Sequence, residues 1–555
     1  MDWTKVLAFD VETAGLNGPL HRLAYLTGDG MSGWLTPDQA EEIIPFFQRA
    51  EHVVAHNAKY DIKTLAKVGI EVPWEKLDDT LVMAALILPG SQPKSLLELS
   101  MKYLDYDGKT DAKVAYYVNE HNCEYDKIPD NILRPYTDQQ LVNTIKLFAL
   151  WYSEVPQEAY ELEMRVIRAL FDMEQRGVLV DLSYLSRADG IVTEEMEQLQ
   201  IELDTLAQQT LKRPRQATLI GKPVTSFNPA SNETRDVLLA KGFFLPKSEK
   251  GNYSVSREAI EPYSYDPFVA TLLEWRKLQK IKSTYLVNLQ EAADQNAVIH
   301  PNFSNTSTRT GRLSCSDPNL QNVAKNEIVK QAFIVRPGYR TVSIDFKQIE
   351  FLLAIFLSGD TSGMEAFNEG IDFHTSTAIH VFGDAKYRSQ AKTLNFGLIY
   401  GMQAYTLSKR LGWSEDKAEK YIASYFAHYS GIASHRKKIL ANTRQTGTVK
   451  LSNGRVLRLE STKHYKGYNW KISAEAAIVV KRAMCNVADA IRNTDINLLL
   501  QIHDELVIEI PSVMPFEETY RELGKIMCNA SQYPLSVDYD IWDGSWANLK
   551  QGVPF

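Results

Sequence analysis

The chain has 555 residues, 44% of them hydrophobic and 23% charged. At about 150 residues per domain this length predicts three or four domains with buried cores, and the composition excludes general disorder. Lys plus Arg number 61 against 69 Asp plus Glu, a formal net charge of −8. That excludes a uniformly basic, histone-like protein, so any nucleic acid must be met by local basic patches. No apolar run approaches the ~18 residues of a membrane span. The N-terminal MDWTKVLAFDVET lacks a signal-peptide layout. Cys123, Cys315, Cys485 and Cys528 form no CxxC pair, which argues against zinc knuckles and a disulfide framework and fits a reducing, cytoplasmic interior.

In chain order, Lys5 to Phe9 and Arg22 to Leu26 read as short strands. Thr36-Pro37-Asp38-Gln39 is a capping box with proline at the first helical position, opening a helix through Ile43 and Phe47. His52 to Ala55 is a strand followed by a helix through Leu65, so the first 150 or so residues form an α/β unit. From Pro156 to about Arg213 the spacing is helical, broken at Gly177, and a loop-rich stretch follows with Pro214, Gly221, Pro223 and Pro229. Helix returns from Asp266 to Asn288. Strands and helices then mix from Val342 to Ile510. No internal repeat of roughly 20–50 residues interrupts this order.

Asp10 and Glu12 stand two apart at the end of the first strand, where a period of two puts both carboxylates on one face. Asn57 and Asp61 are one helical turn apart just after the strand His52 to Ala55. Acids converging without Cys or His suit a hard cation such as Mg²⁺, and two such ions can serve phosphodiester cleavage. A lone DxE is otherwise an ordinary solvated strand end.

Arg388, Lys392 and Phe396 are each four apart, a single stripe of a helix that Gly401 would cap. Two cations and a ring suit a nucleotide's phosphates, sugar and base; an amphipathic helix with a cationic rim would look the same. Val342 to Asp345 is a strand ending in an acid. Leu498 to Ile502, His503-Asp504 and Glu505 to Ile508 read as a hairpin with its polar residues at the tip. Burying such strands with acids at the tip is costly unless a metal or catalysis requires it.

These segments together resemble the DNA polymerases of family A, the bacterial DNA polymerase I family. FDVET, NAKYD and Tyr136 are similar to the three motifs of the 3′→5′ proofreading domain. The resemblance assigns metal ligation there to Asp10, Glu12 and Asp61. One departure stands out: Gln140 occupies the place of the third-motif Asp, and Asp138 is two residues early. RxxxKxxxF…YG, from Arg388 to Tyr400, resembles motif B; Asp345 to Glu350 resembles motif A; QIHDELV resembles motif C.

The resemblance implies a multidomain α/β fold: a ribonuclease H-like exonuclease domain, then a right-hand polymerase of thumb, palm and fingers. The expected ranges are 1–155 for the exonuclease-like domain, 156–298 for the thumb, 299–375 with 441–555 for the palm and 376–440 for the fingers. It further implies Asp345 and Asp504 as holders of two Mg²⁺ (or Mn²⁺), with Glu505 in support and Lys392 steadying the phosphates. Arg388, Lys392, Phe396, Tyr400, His374 and the steric gate Glu350 would bind dNTP. Arg312, Gln321, Asn322, His503 and Asn469 would contact primer-template DNA. Ser473 stands where the family has Gln, and Leu352 where it has Arg.

Expected partners are therefore primer-template DNA and dNTPs, without a membrane, for a monomer alone or within a replisome. An exonuclease-like fold beginning within about ten residues of the start leaves no room for a 5′ nuclease, and the compact length suggests a phage-type enzyme. A non-catalytic DNA-binding scaffold is opposed by intact Asp345, Lys392 and Asp504. A single-subunit RNA polymerase is opposed by Glu350.

Overall fold

Two β-sheets organise the chain, and each owes its strand order to which segments are apolar on both faces. The computed structural model describes residues 2–553, except 16–17, 89, 91, 93, 212–226, 248–250 and 324–325. In the first sheet, β1 (Val6–Thr13) is buried along nearly its whole length, as a covered central strand must be. Antiparallel β2 (Leu20–Thr27) and β3 (Ser32–Leu35) flank one side; parallel β4 (His52–Ala55) and β5 (Leu77–Asp79) flank the other, giving the order β3-β2-β1-β4-β5.

β1 runs past the expected end at Phe9, because Asp10 and Glu12 pair with Ala24 and Arg22 of β2. The two acids thus lie within the strand. The helix expected from Pro37 starts as a 3-10 segment, Pro37–Ile43, and turns α only over Ile44–Arg49. Pro45 has no N–H to give to the carbonyl four residues earlier, so the α ladder cannot pass continuously through it. Helices α1 (Ala58–Ala66), α2 (Thr80–Ile87), α3 (Lys109–His121) and α4 (Asp130–Trp151) belong to this unit, with a shorter helix, Leu96–Tyr103, between α2 and α3.

Next comes α5 (Gln157–Arg176), ended by Gly177 at φ +59°. The break expected at Gly177 is present, and just beyond it two residues, Val178–Leu179, pair with Val298–Ile299 before α6 (Leu182–Leu211) begins. Of the expected loop, Pro214, Gly221 and Pro223 lie outside the described residues. Helix α7 (Pro267–Lys280) is capped by Asp266, whose carboxylate accepts from the Phe268 and Val269 amides. It widens into a π-helical stretch, Ile281–Val287, so the regular helix expected to Asn288 is interrupted.

The second sheet is antiparallel throughout. Its centre is β6 (Tyr339–Phe346), followed by helices α8 (Ile349–Ser358), α9 (Arg388–Ile399) and α10 (Ser430–Thr446). Then come the hairpin β7 (Thr448–Lys450) and β8 (Val456–Arg458), and α11 (Gly467–Ile491), buried nearly all round. Strands β9 (Asn497–Ile502), β10 (Glu505–Pro511), β11 (Val537–Asp543) and β12 (Ser545–Gln551) close the chain, in the order β9-β10-β6-β11-β12. The boundary expected at 155 falls between α4 and α5, whereas those at 375 and 441 fall inside the helices Phe373–Thr377 and α10.

One apolar core joins α5, α8, α11 and the second sheet, while Phe9, Leu23, Val53 and Ile62 belong to a separate core under the first. The two are bridged by polar contacts. Buried Glu174 of α5 accepts from Lys59 of α1 and is ion-paired with Lys63 of the same helix, and Tyr160 donates to Asp78 Oδ1 at 2.8 Å. Among the described residues no helix is long and apolar enough to cross a membrane.

Candidate active site

The register of the second sheet assembles its acids. Asp345, next to last in β6, is directly opposite Glu505 of β10 on one side and Asp538 of β11 on the other. Asp540 is opposite Ser343, two residues back and so on the same face. The β9–β10 hairpin turns at His503, whose φ of +55° needs the left-handed region, and Asp504 follows it. The Asp504 carbonyl accepts from Phe346 N at 3.3 Å, tying the hairpin tip to the end of β6.

Asp345 is exposed as a residue, yet acids surround it on both neighbouring strands. Burial, then the charges of Asp504, Glu505, Asp538 and Asp540, push it up to about 8. Burial raises Asp504 as well, with Glu350 adding and Arg312 opposing. Glu505 is raised by burial, partly offset by a hydrogen bond with Ser343. Lys347 pairs with Asp538 at 2.7 Å, but the crowding that remains around Asp345 is of the kind a divalent cation relieves.

Glu350, in the first turn of α8, is 5% exposed and fully engaged. It accepts from Arg312 at 2.5 Å, from Ser473 of α11 at 2.8 Å, and from the Tyr400 hydroxyl. Ser473 thus contacts the carboxylate from the position where Gln was expected. Tyr400 ends α9, and Gly401 at φ +78° closes it, with Met402 N donating to Gly397 O at 2.7 Å. Along α9, Lys392 is exposed and Phe396 half-buried. Arg388 is held by Asp372, Nε to Oδ2 at 2.8 Å.

His374 is only 2% exposed: Nδ1 meets the Asn395 amide at 2.9 Å, and the ring packs on Phe396 with centroids 5.5 Å apart. It shapes the wall behind Phe396. Arg312, Gln321, His503 and Asp504 line one cavity together with α11. Gln321 is fixed by the Gln501 side chain at 2.9 Å, and the Asn322 carbonyl accepts from Tyr285 at 2.7 Å. Asn469 is half-buried on the first turn of α11.

In the first unit, Asp61 turns from α1 onto β1, its Oδ1 accepting from Val11 N at 3.1 Å. Glu12 accepts from Thr137 of α4 at 2.7 Å. Burial raises Asp10 to about 7, and burial with the Asp10 charge raises Glu12 to about 8. Asp61 is raised too, by burial first and then by Asp10. Tyr136 is close enough to this group for Glu12, Asp10 and Asp111 to oppose its ionisation, after burial. Asp138 points away, half-exposed, 3.8 Å from Arg134 one turn earlier. Gln140 points inward at 5% exposure, and its Nε2 donates to Asp111 Oδ1 at 3.1 Å. Tyr106 donates to the other Asp111 oxygen at 2.6 Å.

Asp111, Asp372, Asp538 and Asp540 were not singled out from sequence. Only the last two left a signal there, the alternation Val-Asp-Tyr-Asp at 537–540. Among the described residues no three Asp, Glu, His or Cys side chains already converge on one ion position.

With this geometry in view, comparison with known proteins is specific. The sequence profile of "DNA polymerase family A" matches residues 193–547. The chain belongs to that family. DNA polymerase I of Chloroflexus aurantiacus is 30% identical over 543 residues, covering 90% of this chain and 56% of that one. The thermostable DNA polymerase I of Thermus aquaticus is 32% identical over 420 residues, covering 70% and 48%. The chain thus spans about half the length of these curated relatives. In fold it is similar to the POL domain of Pol1 from M. smegmatis, solved in complex with DNA primer-template and dNTP. The TM-score is 0.81 at 24% identity, covering 98% of this chain and 95% of that one.

Proposed function

We propose that the protein performs template-directed DNA synthesis, adding nucleotides from dNTPs to a primer 3′-OH by phosphoryl transfer, with thumb, palm and fingers around the second sheet. The observation that carries this is the triad Asp345, Asp504 and Glu505 at one end of that sheet, linked through Glu350 and Tyr400 to the Arg388–Lys392–Phe396 face of α9. The donors are all oxygen, and two principal carboxylates leave most of a shell to substrate and water, which fits Mg²⁺, with Mn²⁺ as substitute. Two such ions, when bound, supply neutralisation of the triphosphate and acidification of the 3′-OH.

The chain's own residues do the rest. Arg388 exchanges Asp372 for phosphate oxygens, and Lys392, one turn on, steadies the same charge. Phe396 lies by the sugar, backed by His374. Glu350, pinned by Arg312, Ser473 and Tyr400, cannot swing aside, so a ribose 2′-OH meets a fixed carboxylate. Arg312, Gln321, Asn322, His503 and Asn469 position the primer terminus. Primer-template DNA and dNTPs are the partners of a cytoplasmic monomer, in the host if phage-encoded.

The first unit reads as a ribonuclease H-like 3′→5′ exonuclease domain whose activity is weak or absent, since an amide, Gln140, stands in for a carboxylate. The test is extension of a labelled primer with and without Mg²⁺, using dNTPs or rNTPs, with primer shortening scored when nucleotides are omitted. Mg²⁺-dependent extension with dNTPs alone is expected; no extension on any primer-template would overturn the proposal.

A further inference from the structure

At the seam between the first unit and the second sheet, a small cleft is lined by Lys94, Thr308, Arg309, Arg455, Arg458 and Trp470. Lys94 comes from the first unit, Arg309 from the turn leading into Thr310-Gly311-Arg312, and the other two cations from the β7–β8 hairpin. Arg455 is the odd member. It is 9% exposed, yet none of its guanidinium N–H groups has a hydrogen-bond partner among the described residues; its bonds are made by the backbone, N–H to Asn453 Oδ1 and carbonyl from Leu451 N.

The neighbouring charges are spoken for. Glu163, which acts on Arg455 electrostatically, is already held by Lys481 at 2.6 Å and by the Asn305 amide at 2.9 Å. Glu460 is 3.5 Å from Arg309 and bonded to Lys463. Arg458 donates to the Ile87 carbonyl at 2.5 Å. Burial, then Arg455 and Arg309, depress Lys94. An arginine this enclosed is expensive without an anion. Gly311 fits against it closely: a Cβ there would lie 2.3 Å from Arg455 Nη1. The guanidinium therefore underpins the turn that carries Arg312 into the polymerase site.

We infer that Lys94, Arg309 and Arg455 form a binding site for one backbone phosphate of the primer strand, a few nucleotides from its 3′ end. The inference rests on the reading of Arg312 as a primer-terminus contact. The cleft opens only a few residues along the chain from that arginine, and the strand held there is led toward the first unit.

The experiment measures binding of primer-template DNAs carrying a single neutral methylphosphonate at successive primer positions. It compares the wild-type protein, Arg455→Met, and the double variant Lys94→Gln/Arg309→Gln. In the wild type, one primer position should weaken binding about 5- to 10-fold, and that same position should matter less than about twofold in either variant. The salt dependence should flatten by about one phosphate contact in each variant. The double variant leaves the Gly311 support intact, so the test survives if Arg455→Met does not fold. Calorimetry with inorganic phosphate alone covers the other source of this chemistry.

No primer position that depends on these residues, a sensitive position on the template strand only, or phosphate heat that is lost in the variants without a primer effect would each overturn the inference. Extension of the unmodified primer by wild type is scored separately. Failure there removes the polymerase reading, while the phosphate map stands or falls on its own binding data.

Discussion

Gln140→Asp is the change that sequence alone offers for restoring a third acid to the first unit, but the structure predicts that it fails by itself. Gln140 donates to Asp111 Oδ1 at 3.1 Å. The substitution deletes that bond and sets two carboxylates about 4–5 Å apart. At an effective dielectric of about 20 they repel by about 3–4 kcal/mol, with the lower end applying because Asp111 is half-buried and screened. That is equivalent to raising one acid by about two pH units, in a site where Asp10 and Glu12 are already raised to about 7 and about 8. The new acid would compete with Asp111 for a proton and bind metal less well than an unopposed carboxylate. Gln140→Asp/Asp111→Asn reverses the pair, giving an amide donor to the new carboxylate. The assay is shortening of a mismatched primer over a Mg²⁺ or Mn²⁺ series. The wild type and each single variant should digest weakly, and the double variant at least about tenfold faster, the equivalent of about 1.4 kcal/mol. Equal rates for Gln140→Asp and the double variant would refute the reasoning; rapid wild-type digestion lost in Asp138→Ala would make Asp138 the third ligand instead.

Four further outcomes are expected. Asp345→Ala and Asp504→Ala should each abolish extension while anisotropy shows DNA affinity nearly unchanged, because phosphate contacts by basic residues supply most of it. Glu350→Ala should raise the rNTP-to-dNTP incorporation ratio; it should also lower stability by about 1–3 kcal/mol in denaturant melts, since Ser473, Arg312 and Tyr400 lose their shared acceptor. Phe396→Tyr should ease dideoxynucleotide use, measured as chain termination at matched ddNTP concentrations. Asp372 is the pH-sensitive case: burial alone would raise it, but hydrogen bonds from Arg388 and Thr375 prevail and hold it at about 2. A folded value below the unfolded 3.8 stabilises fully above about pH 4 and loses that contribution as pH falls toward 2. The stability gap between wild type and Asp372→Asn should therefore shrink across that window, and a gap independent of pH would contradict the assignment.

The strands of the second sheet and α9 were legible because their signals are local. Val342 to Asp345 and Leu498 to Ile502 are apolar runs ended by acids, and they appear as β6 and β9 with one or a few residues added. The Arg388–Tyr400 spacing appears as α9 nearly residue for residue. What stayed hidden depends on pairing between distant segments. Asp538 joins Asp345 only through sheet register. Ser473 reaches Glu350 across 123 positions, and nothing around Asp111 marks it as the partner of Gln140. Elements also ran longer or broke where tertiary contacts overrode local pattern: β2 draws β1 on to Thr13, and Val298–Ile299 captures Val178–Leu179 out of a helical stretch.

Helix α1 carries a mechanical consequence. Lys59 and Lys63 lie on one side of it, both gripping Glu174 of α5, while Asp61 projects from the opposite side onto β1. The helix behaves as a lever whose handle is bolted to the neighbouring unit and whose tip is a carboxylate. A swivel of α5 against the first sheet larger than the two lysine side chains can follow would strain the Asp61–Val11 bond or part a buried carboxylate from two ammonium groups. The placing of Asp61 on β1 is thereby tied, through two ion pairs, to the seating of one unit on the other.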